Sequence, residues 1–493
     1  MHVLKPSKFI MILAVLGAVL ISGSLWQLNL SRSGLAVKSG MHSGLPYKIT
    51  HLENIDSGKR PLVLIAHGLA GSGTIMEGLA LTFAHAGYVV TTWDFDGHAG
   101  NSHPMEEDIY SPWLLTNVET VLEAVSDYEL IDTERMAIVG HSMGTAAALG
   151  FSQSHPATQA TIAISPVGTP VTPELPKNLL LMAGQLEPDF VDNARNRLAE
   201  AGGVGGDPAS GDARDFQVIP GVEHISIIFS PTTHALALNW LDRTFGIQNG
   251  AQPYKDRRLL WFGLVVIGTL VVASTVIPRH SMIPSNKQLS LQRRILIMVG
   301  SALSATLILW LIGLMGLSLS TLFGIRAGGY LILWFLVAGL IGVFMLKSQI
   351  IMPNRQELFR ASLIFAALWL GIGLAGGGVW LPWLLIYKRL MLWPLVALGM
   401  LPWCWLLGTL SNFGHGGSRL GWWAGHSLTL FGSLMFAIKL SPSLGFLMLL
   451  LPVFPLVLLF HVIPNMVQRG SWIFGLSGAL FVSWMLLAVF PLI

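Results

Sequence analysis

The sequence predicts two structural classes in one chain: an α/β domain with a mostly parallel sheet and helices on both faces, then an all-α transmembrane helical domain. Three observations carry this. Of 493 residues, 53% are hydrophobic and 11% charged, an excess of apolar side chains that a soluble core cannot absorb. Polarity is uneven, since of the 26 Asp and Glu only Glu357 lies beyond Leu259. Up to about residue 250 short β-branched runs alternate with helical stretches, whereas beyond it apolar runs of about 18–25 residues follow one another. The expected organisation is an N-terminal signal anchor in residues 1–34, the α/β domain in 35–250 and a polytopic membrane domain of about eight helices in 251–493.

The elements follow in order. Phe9 to Leu25 form an apolar stretch behind Lys5 and Lys8. Its end, Ser22-Gly23-Ser24, lacks the alanines a cleavage site prefers and runs on into Leu25 and Trp26, so a retained anchor is expected. Candidate strands are Leu62 to Ala66, Tyr88 to Trp93, Met136 to Val139, Thr161 to Ile164, Leu179 to Met182 and Phe216 to Ile219. Gly202 to Asp212 reads as an exposed loop and Gly246 to Arg258 as a linker. The membrane spans are then Leu259 to Ile277, Ile295 to Leu317, Gly329 to Leu346, Ala361 to Trp383, Leu390 to Leu410, Gly421 to Ile438, Leu444 to Ile463 and Trp472 to Leu492. Gly376, Gly377, Gly378 and Pro382 break the fourth of these.

Lys and Arg are retained on the cytoplasmic side of short loops, which gives an orientation. With the N-terminus inside, the inner loops hold Arg279, Lys287, Arg293, Arg294, Lys347, Arg355, Arg360, Arg419 and Arg469, against Arg326, Lys388, Arg389 and Lys439 outside. Lys255, Arg257 and Arg258 run against this bias. The α/β domain then faces the periplasm or the extracellular side. The formal net charge of +3 comes with basic residues in short loops between apolar runs, a pattern of membrane anchoring and not of nucleic-acid binding. Cys404, the single cysteine, can form no internal disulfide or zinc cluster.

The strongest chemical signal is Gly140-His141-Ser142-Met143-Gly144, directly after the strand Met136 to Val139 and directly before the Ala-rich helical run Thr145 to Phe151. A strand-to-helix turn this sharp strains the nucleophile's backbone and requires small flanking residues. Serine needs a base to take its proton and a carboxylate to steady that base, in the order Ser, acid, His for this kind of turn. His224 follows the strand Phe216 to Ile219 and the turn Pro220 to Glu223. Glu187 stands at the tip of the preceding strand, with Asp189 and Asp192 as rivals. Charge developing on a substrate carbonyl needs backbone N–H donors. Met143 and Leu69, the latter in the Gly-rich turn His67-Gly68-Leu69-Ala70-Gly71-Ser72-Gly73, would supply them.

The turn at His67 and Gly68, the run Asp96 to Ser102, the elbow, Glu187 and His224 together resemble the α/β-hydrolase superfamily over about residues 45–248. The resemblance implies an eight-stranded or slightly reduced sheet and esterase, lipase, thioesterase or peptidase chemistry through an acyl-enzyme, with no cofactor and no metal. The sequence departs from the family in having Glu where Asp is usual, and in a cap reduced to Ser165 to Asn178, which implies an open site.

Other residues read as structural. His67 and His98 read as turn and packing residues, His141 as an elbow filler, Glu223 as a solvated turn residue, and His426 and His461 as packing within apolar helices that hold no carboxylate. The 13 tryptophans beyond Leu259 fit an aromatic belt. Three functions compete: a hydrolase working through Ser142, His224 and Glu187; a transporter or sensor whose soluble domain only binds ligand; and a membrane acyltransferase or lipid hydrolase whose helices present an acyl chain. The expected partners are the lipid bilayer and a small-molecule or lipid acyl substrate.

Overall fold

The computed structural model describes residues 8–54, 58–108, 111–246, 254–278, 289–347, 350–380, 382–411, 416–466, 468 and 470–493. Lys5, Arg279, Lys287, Arg469 and residues 247–253 of the predicted linker lie outside the described residues. The chain divides into two compact units, one of residues 26–261, 376–386 and 491–493, the other of 1–25, 262–375 and 387–490.

The first unit is built on an eight-stranded sheet. Its strands are β1 (Leu35–His42), β2 (Leu45–Leu52), β3 (Arg60–Ala66), β4 (Val89–Trp93), β5 (Ile131–His141), β6 (Thr158–Ile164), β7 (Leu179–Gly184) and β8 (Arg214–Ile219), in the order β1-β2-β4-β3-β5-β6-β7-β8. From β4 to β8 every pairing is parallel, while β1 and β2 form an antiparallel hairpin joined to β4. That hairpin is absent from the sequence-predicted strands. Its outer strand alternates weakly and is largely exposed, so its pattern carries little hydrophobic signal. The six other strands coincide with the predicted ones: five extend them by a few residues at one or both ends, as hydrogen bonding continues past the apolar run, and β4 begins one residue later than predicted, at Val89.

Helices α2 (Glu77–His85), α3 (Trp113–Ser126), α4 (Met143–Ser154), α5 (Pro188–Glu200) and α6 (Pro231–Phe245) cover both faces. The division follows the twofold alternation of a strand. Val63, Ile65, Val139 and Ile162 point to a core shared with Leu79 and Phe83 of α2 and Leu238 and Leu241 of α6. Leu62, Leu64, Met136 and Ile138 point the other way, against Val118 and Val121 of α3 and Ala147 and Phe151 of α4. Because the central strands run parallel, β3 to β7 all end on one edge, where ligands of such sheets bind.

The second unit is helical. It contains most of α1 (Lys8–Leu30) and α7 (Arg258–Val276), then α8 (Leu291–Leu314), α9 (Gly328–Leu346) and α10 (Arg355–Leu368) and the helices Tyr387–Ser411, Gly416–Leu440, Val453–Asn465 and Ser471–Val489. Among the described residues six helices are long and apolar enough to cross a membrane by length and composition: α1, α7, α8, α9, Tyr387–Ser411 and Ser471–Val489. Two predicted spans differ in shape. In place of Ala361 to Trp383, α10 passes through a π-helical turn at Trp369–Gly373 and ends at Gly376. In place of Leu444 to Ile463, short pieces at Pro442–Leu444 and Leu447–Leu450 precede Val453–Asn465, with Pro452 at the break. Glycine permits close crossings here: a Cβ on Gly268 of α7 would lie 2.7 Å from the Gly17 carbonyl of α1.

Candidate active site

Ser142 stands between the end of β5 and the first residue of α4, with φ 53° and ψ −122°. A non-glycine residue in that conformation is strained, and the surroundings hold it there. Its N–H donates to the Ile164 carbonyl of the neighbouring strand at 2.9 Å, and its own carbonyl accepts from the Thr145 N–H at 2.8 Å. The flanking glycines are required by space. A Cβ on Gly144 would lie 2.5 Å from the Ala66 carbonyl oxygen, and one on Gly140 would lie 2.2 Å from that of Gly144.

The structure brings the three separated side chains together. His224 Nε2 lies 2.9 Å from Ser142 Oγ, and His224 Nδ1 lies 2.7 Å from Glu187 Oε2. A carboxylate can only accept, so Nδ1 carries the proton and Nε2 presents its lone pair to the serine hydroxyl. Glu187 is saturated: its Oε1 accepts from Ser165 Oγ at 2.6 Å and from the Gly184 N–H at 2.5 Å. All three residues are buried, at 7% exposure for Ser142, 6% for Glu187 and 5% for His224. Of the rival acids, Asp189 is exposed in the first turn of α5 and Asp192 pairs with Arg195 at 3.1 Å in solvent. An arrangement of this kind can draw the proton from a serine hydroxyl as the hydroxyl attacks an electrophilic carbon.

The two residues expected to supply N–H donors, Met143 and Leu69, lie respectively in the elbow itself and in the turn that abuts it. Met143 opens α4, so its N–H has no helical acceptor. Leu69 lies in the turn closed by the bond from Gly71 N–H to Gly68 carbonyl at 2.9 Å. Gly68 presses this turn against the elbow, for a Cβ there would lie 3.0 Å from Ser142 Cβ and 2.9 Å from His141 Nδ1. His67 fixes the turn's start. Its Nδ1 donates to the Gly68 carbonyl at 2.8 Å while Nε2 accepts from the Phe95 N–H at 3.0 Å. Burial, only partly offset by Asp94, lowers the pKa of His67 and keeps it neutral. Asp94 ties the turn's far end to the next loop, accepting from Gly73 N–H at 2.8 Å and Gly100 N–H at 3.0 Å.

Four contributors were not legible as such in the sequence. His141, read as filler, donates from Nε2 to the His224 carbonyl at 2.9 Å and so holds the loop that carries the imidazole. Burial, reinforced by His224, drives its pKa well below the usual histidine value. Glu223, read as solvated, is half-buried and accepts from the N–H groups of Ile225 and Ser226 at 2.9 and 2.7 Å. Ser165 braces the carboxylate, and the ring of Phe190 stacks on His224 at 4.2 Å between centroids. A polar residue adjacent to a site residue was the available signal for Glu223 and His141; nothing local marks Phe190 or Ser165. His98 Nδ1 donates to the Asp96 carbonyl at 2.8 Å, and the Asp96 carboxylate accepts from Asn101 and Asn117, so the run after β4 is a braced turn. Among the described residues no group of three or more His, Cys, Asp or Glu is placed to hold a metal ion.

A family model described as serine aminopeptidase, S33 (Hydrolase_4), matches residues 57–202, a stretch with the elbow and Glu187 but without His224. Two uncharacterized proteins of Mycobacterium tuberculosis, from strains CDC 1551 / Oshkosh and ATCC 25618 / H37Rv, are each 24% identical over 191 residues, 35% of this chain. The chain spans 66% of the length of those relatives, just under two thirds. A solved structure of a predicted CIB-like hydrolase from Thermoplasma acidophilum is similar with 15% identity and a TM-score of 0.35, over 42% of this chain and 99% of the other. By its sheet order and by the family that matches it, the block holding Ser142 is an α/β-hydrolase domain, followed by a helical C-terminal part with several long apolar helices.

Proposed function

We propose that the protein is a membrane-bound serine hydrolase that acts by acyl transfer through Ser142, His224 and Glu187 on an ester-type substrate, including lipid or lipid-linked esters, outside the cytoplasm. The observation that carries the reading is the unbroken line of hydrogen bonds from Ser142 Oγ through His224 to Glu187. Ser142 Oγ bonds to the substrate's carbonyl carbon as His224 Nε2 takes its proton. The N–H groups of Met143 and Leu69 receive the oxyanion, and the leaving alcohol departs with the proton from His224. Water, activated by the same imidazole, then releases the acid from the acyl-enzyme. The six apolar helices support bilayer residence, and the loop bias of Lys and Arg supports an outward-facing hydrolase domain.

The test is covalent labelling of the purified full-length protein with a fluorophosphonate. One adduct at Ser142, absent in Ser142→Ala, is the expected result. Folded protein that takes no label refutes the reading. A panel of p-nitrophenyl esters of rising length, lipids and aminoacyl amides then orders the substrates, the amides being included because of the family description.

A further inference from the structure

Residues 376–386 lie in sequence between the π turn and the helix Tyr387–Ser411, yet they belong to the α/β unit. Two of their backbone carbonyls are engaged by side chains of that unit. Ser72 Oγ donates to the Trp380 carbonyl at 3.1 Å, and Arg258 Nη1 to the Gly378 carbonyl at 3.3 Å. The Trp380 ring packs against the core beneath α2 and α6, with Val379 buried beside it. Arg258 is itself pinned by Asp256 at 3.0 Å and by Glu77, the first residue of α2, at 3.2 Å, and Glu77 also pairs with Arg32 at 2.6 Å. Desolvation works against the Asp256 charge, but the Arg258 guanidinium outweighs it and holds that carboxyl below its usual pKa.

Ser72 is fully buried and stands three residues beyond Leu69. Its Oγ also accepts from the Ile75 N–H at 3.3 Å, so the hydroxyl is used in both directions. The next residue, Gly73, is the one that Asp94 holds. The turn carrying Leu69 is therefore fixed at its start by His67 and at its end by Ser72 and Asp94. The acceptor for Ser72 lies 308 residues away in sequence. We infer that Ser72 is a positioning residue that, through the Trp380 carbonyl, sets the Leu69 N–H over Ser142, so that the rate of acyl transfer depends on residues 376–386 staying seated.

The inference rests on the acyl-transfer reading, and its test separates the two. Removal of an oxyanion donor costs roughly 10²–10³ in kcat, and a donor that is displaced loses part of this. Ser72→Ala should therefore lower kcat for p-nitrophenyl acetate by roughly 10- to 100-fold per fluorophosphonate-titrated site, with KM within about two-fold and the pH profile unmoved. Ser72→Thr, which keeps the hydroxyl, should recover most of the loss. Trp380→Gly keeps the carbonyl but removes the ring that seats it, and should lower kcat in the same way. Because both changes break one contact, the double variant should be no slower than Ser72→Ala, within about two-fold. Amide hydrogen exchange over residues 67–76 should rise in either single variant. Unchanged kcat per site in folded Ser72→Ala, multiplicative losses in the double variant, or unchanged exchange over 67–76 would each overturn the inference. Failure of the wild-type protein to label at Ser142 overturns the acyl-transfer reading instead, and the exchange measurement still decides whether Trp380 seats the turn.

Discussion

In the α/β unit the buried His224 stands between a hydroxyl and a carboxylate, whereas in the helical unit the buried His426 and His461 meet neutral partners among the described residues. His426 Nε2 accepts from Trp403 Nε1 at 2.9 Å, and His461 Nε2 lies 2.9 Å from Ser477 Oγ. The one acid beyond Leu259, Glu357, is spent on capping α10 through the Asn354 N–H at 3.1 Å. The difference teaches that burial of an imidazole is not by itself a catalytic signature. An anion must pin one ring nitrogen so that the other can gain a proton at low cost, and a labile hydroxyl must face that second nitrogen. Only the first setting has both.

The sharpest way to break the contrast is to convert the first setting into the second. In Glu187→Gln the amide keeps an oxygen for Ser165 and Gly184 but turns a donor toward His224 Nδ1. Nδ1 must then accept, the proton moves to Nε2, and the serine faces a donor in place of a base. The expected loss in kcat is roughly 10⁴-fold with thermal stability near wild type. Ester hydrolysis within about ten-fold of wild type would show that Glu187 does not set the tautomer.

A smaller loss is expected from Gly144→Ala. Its new Cβ would press on the Ala66 and His67 carbonyl oxygens, at 2.5 and 2.6 Å, and backbone atoms cannot swing aside as a side chain can. The elbow and the His67 turn must part, moving the Met143 and Leu69 N–H groups proposed to receive the oxyanion. We expect on the order of 10²-fold in kcat and about 1–3 kcal/mol of stability, read by kcat per labelled site and by thermal unfolding. A variant with native values in both would mean that the contact is slack.

The contrast also explains what the sequence could and could not convey. Ser142, Glu187 and His224 were legible because each follows an apolar strand at a sheet edge, and parallel strands bring their ends together regardless of the separation between them in sequence. The braces were not. Phe190 and Ser165 act through stacking and through a hydrogen bond whose partner is distant in sequence, and Trp380 reaches Ser72 only after the chain has passed through several helices. β1 was missed because an exposed edge strand has no apolar face to betray its period. The break at Gly376–Gly378 was legible as a break, but that its residues belong to the α/β unit is a matter of long-range packing that no local pattern encodes.

A third test sharpens the contrast within the α/β unit itself. Burial lowers the pKa of His141 well below that of an unfolded-chain histidine, near 6.5, and lowers those of His67 and His234 as well. Between the unfolded and folded values the unfolded chain binds more protons, so stability rises with pH there. The contribution is fully present above about pH 6.5 and is lost as the pH falls toward the depressed folded values. Thermal inactivation of the hydrolase should accelerate from about pH 6.5 downward. His141→Gln, which can still donate to the His224 carbonyl, should flatten that acid slope; an unchanged slope would exclude His141 as a source.

The smallest effect on hydrolysis is expected on the other side of the comparison. His426→Phe leaves the Trp403 N–H without its acceptor inside an apolar bundle, which costs about 1–3 kcal/mol. His426→Gln restores an acceptor of similar reach and should recover most of that loss. Because no anion among the described residues polarises His426, neither change should alter kcat per fluorophosphonate-labelled site by more than about two-fold, even where the yield of folded protein falls. A loss of turnover in His426→Phe that Gln does not rescue, at full labelling of Ser142, would make this imidazole part of the chemistry and erase the distinction drawn between the two settings.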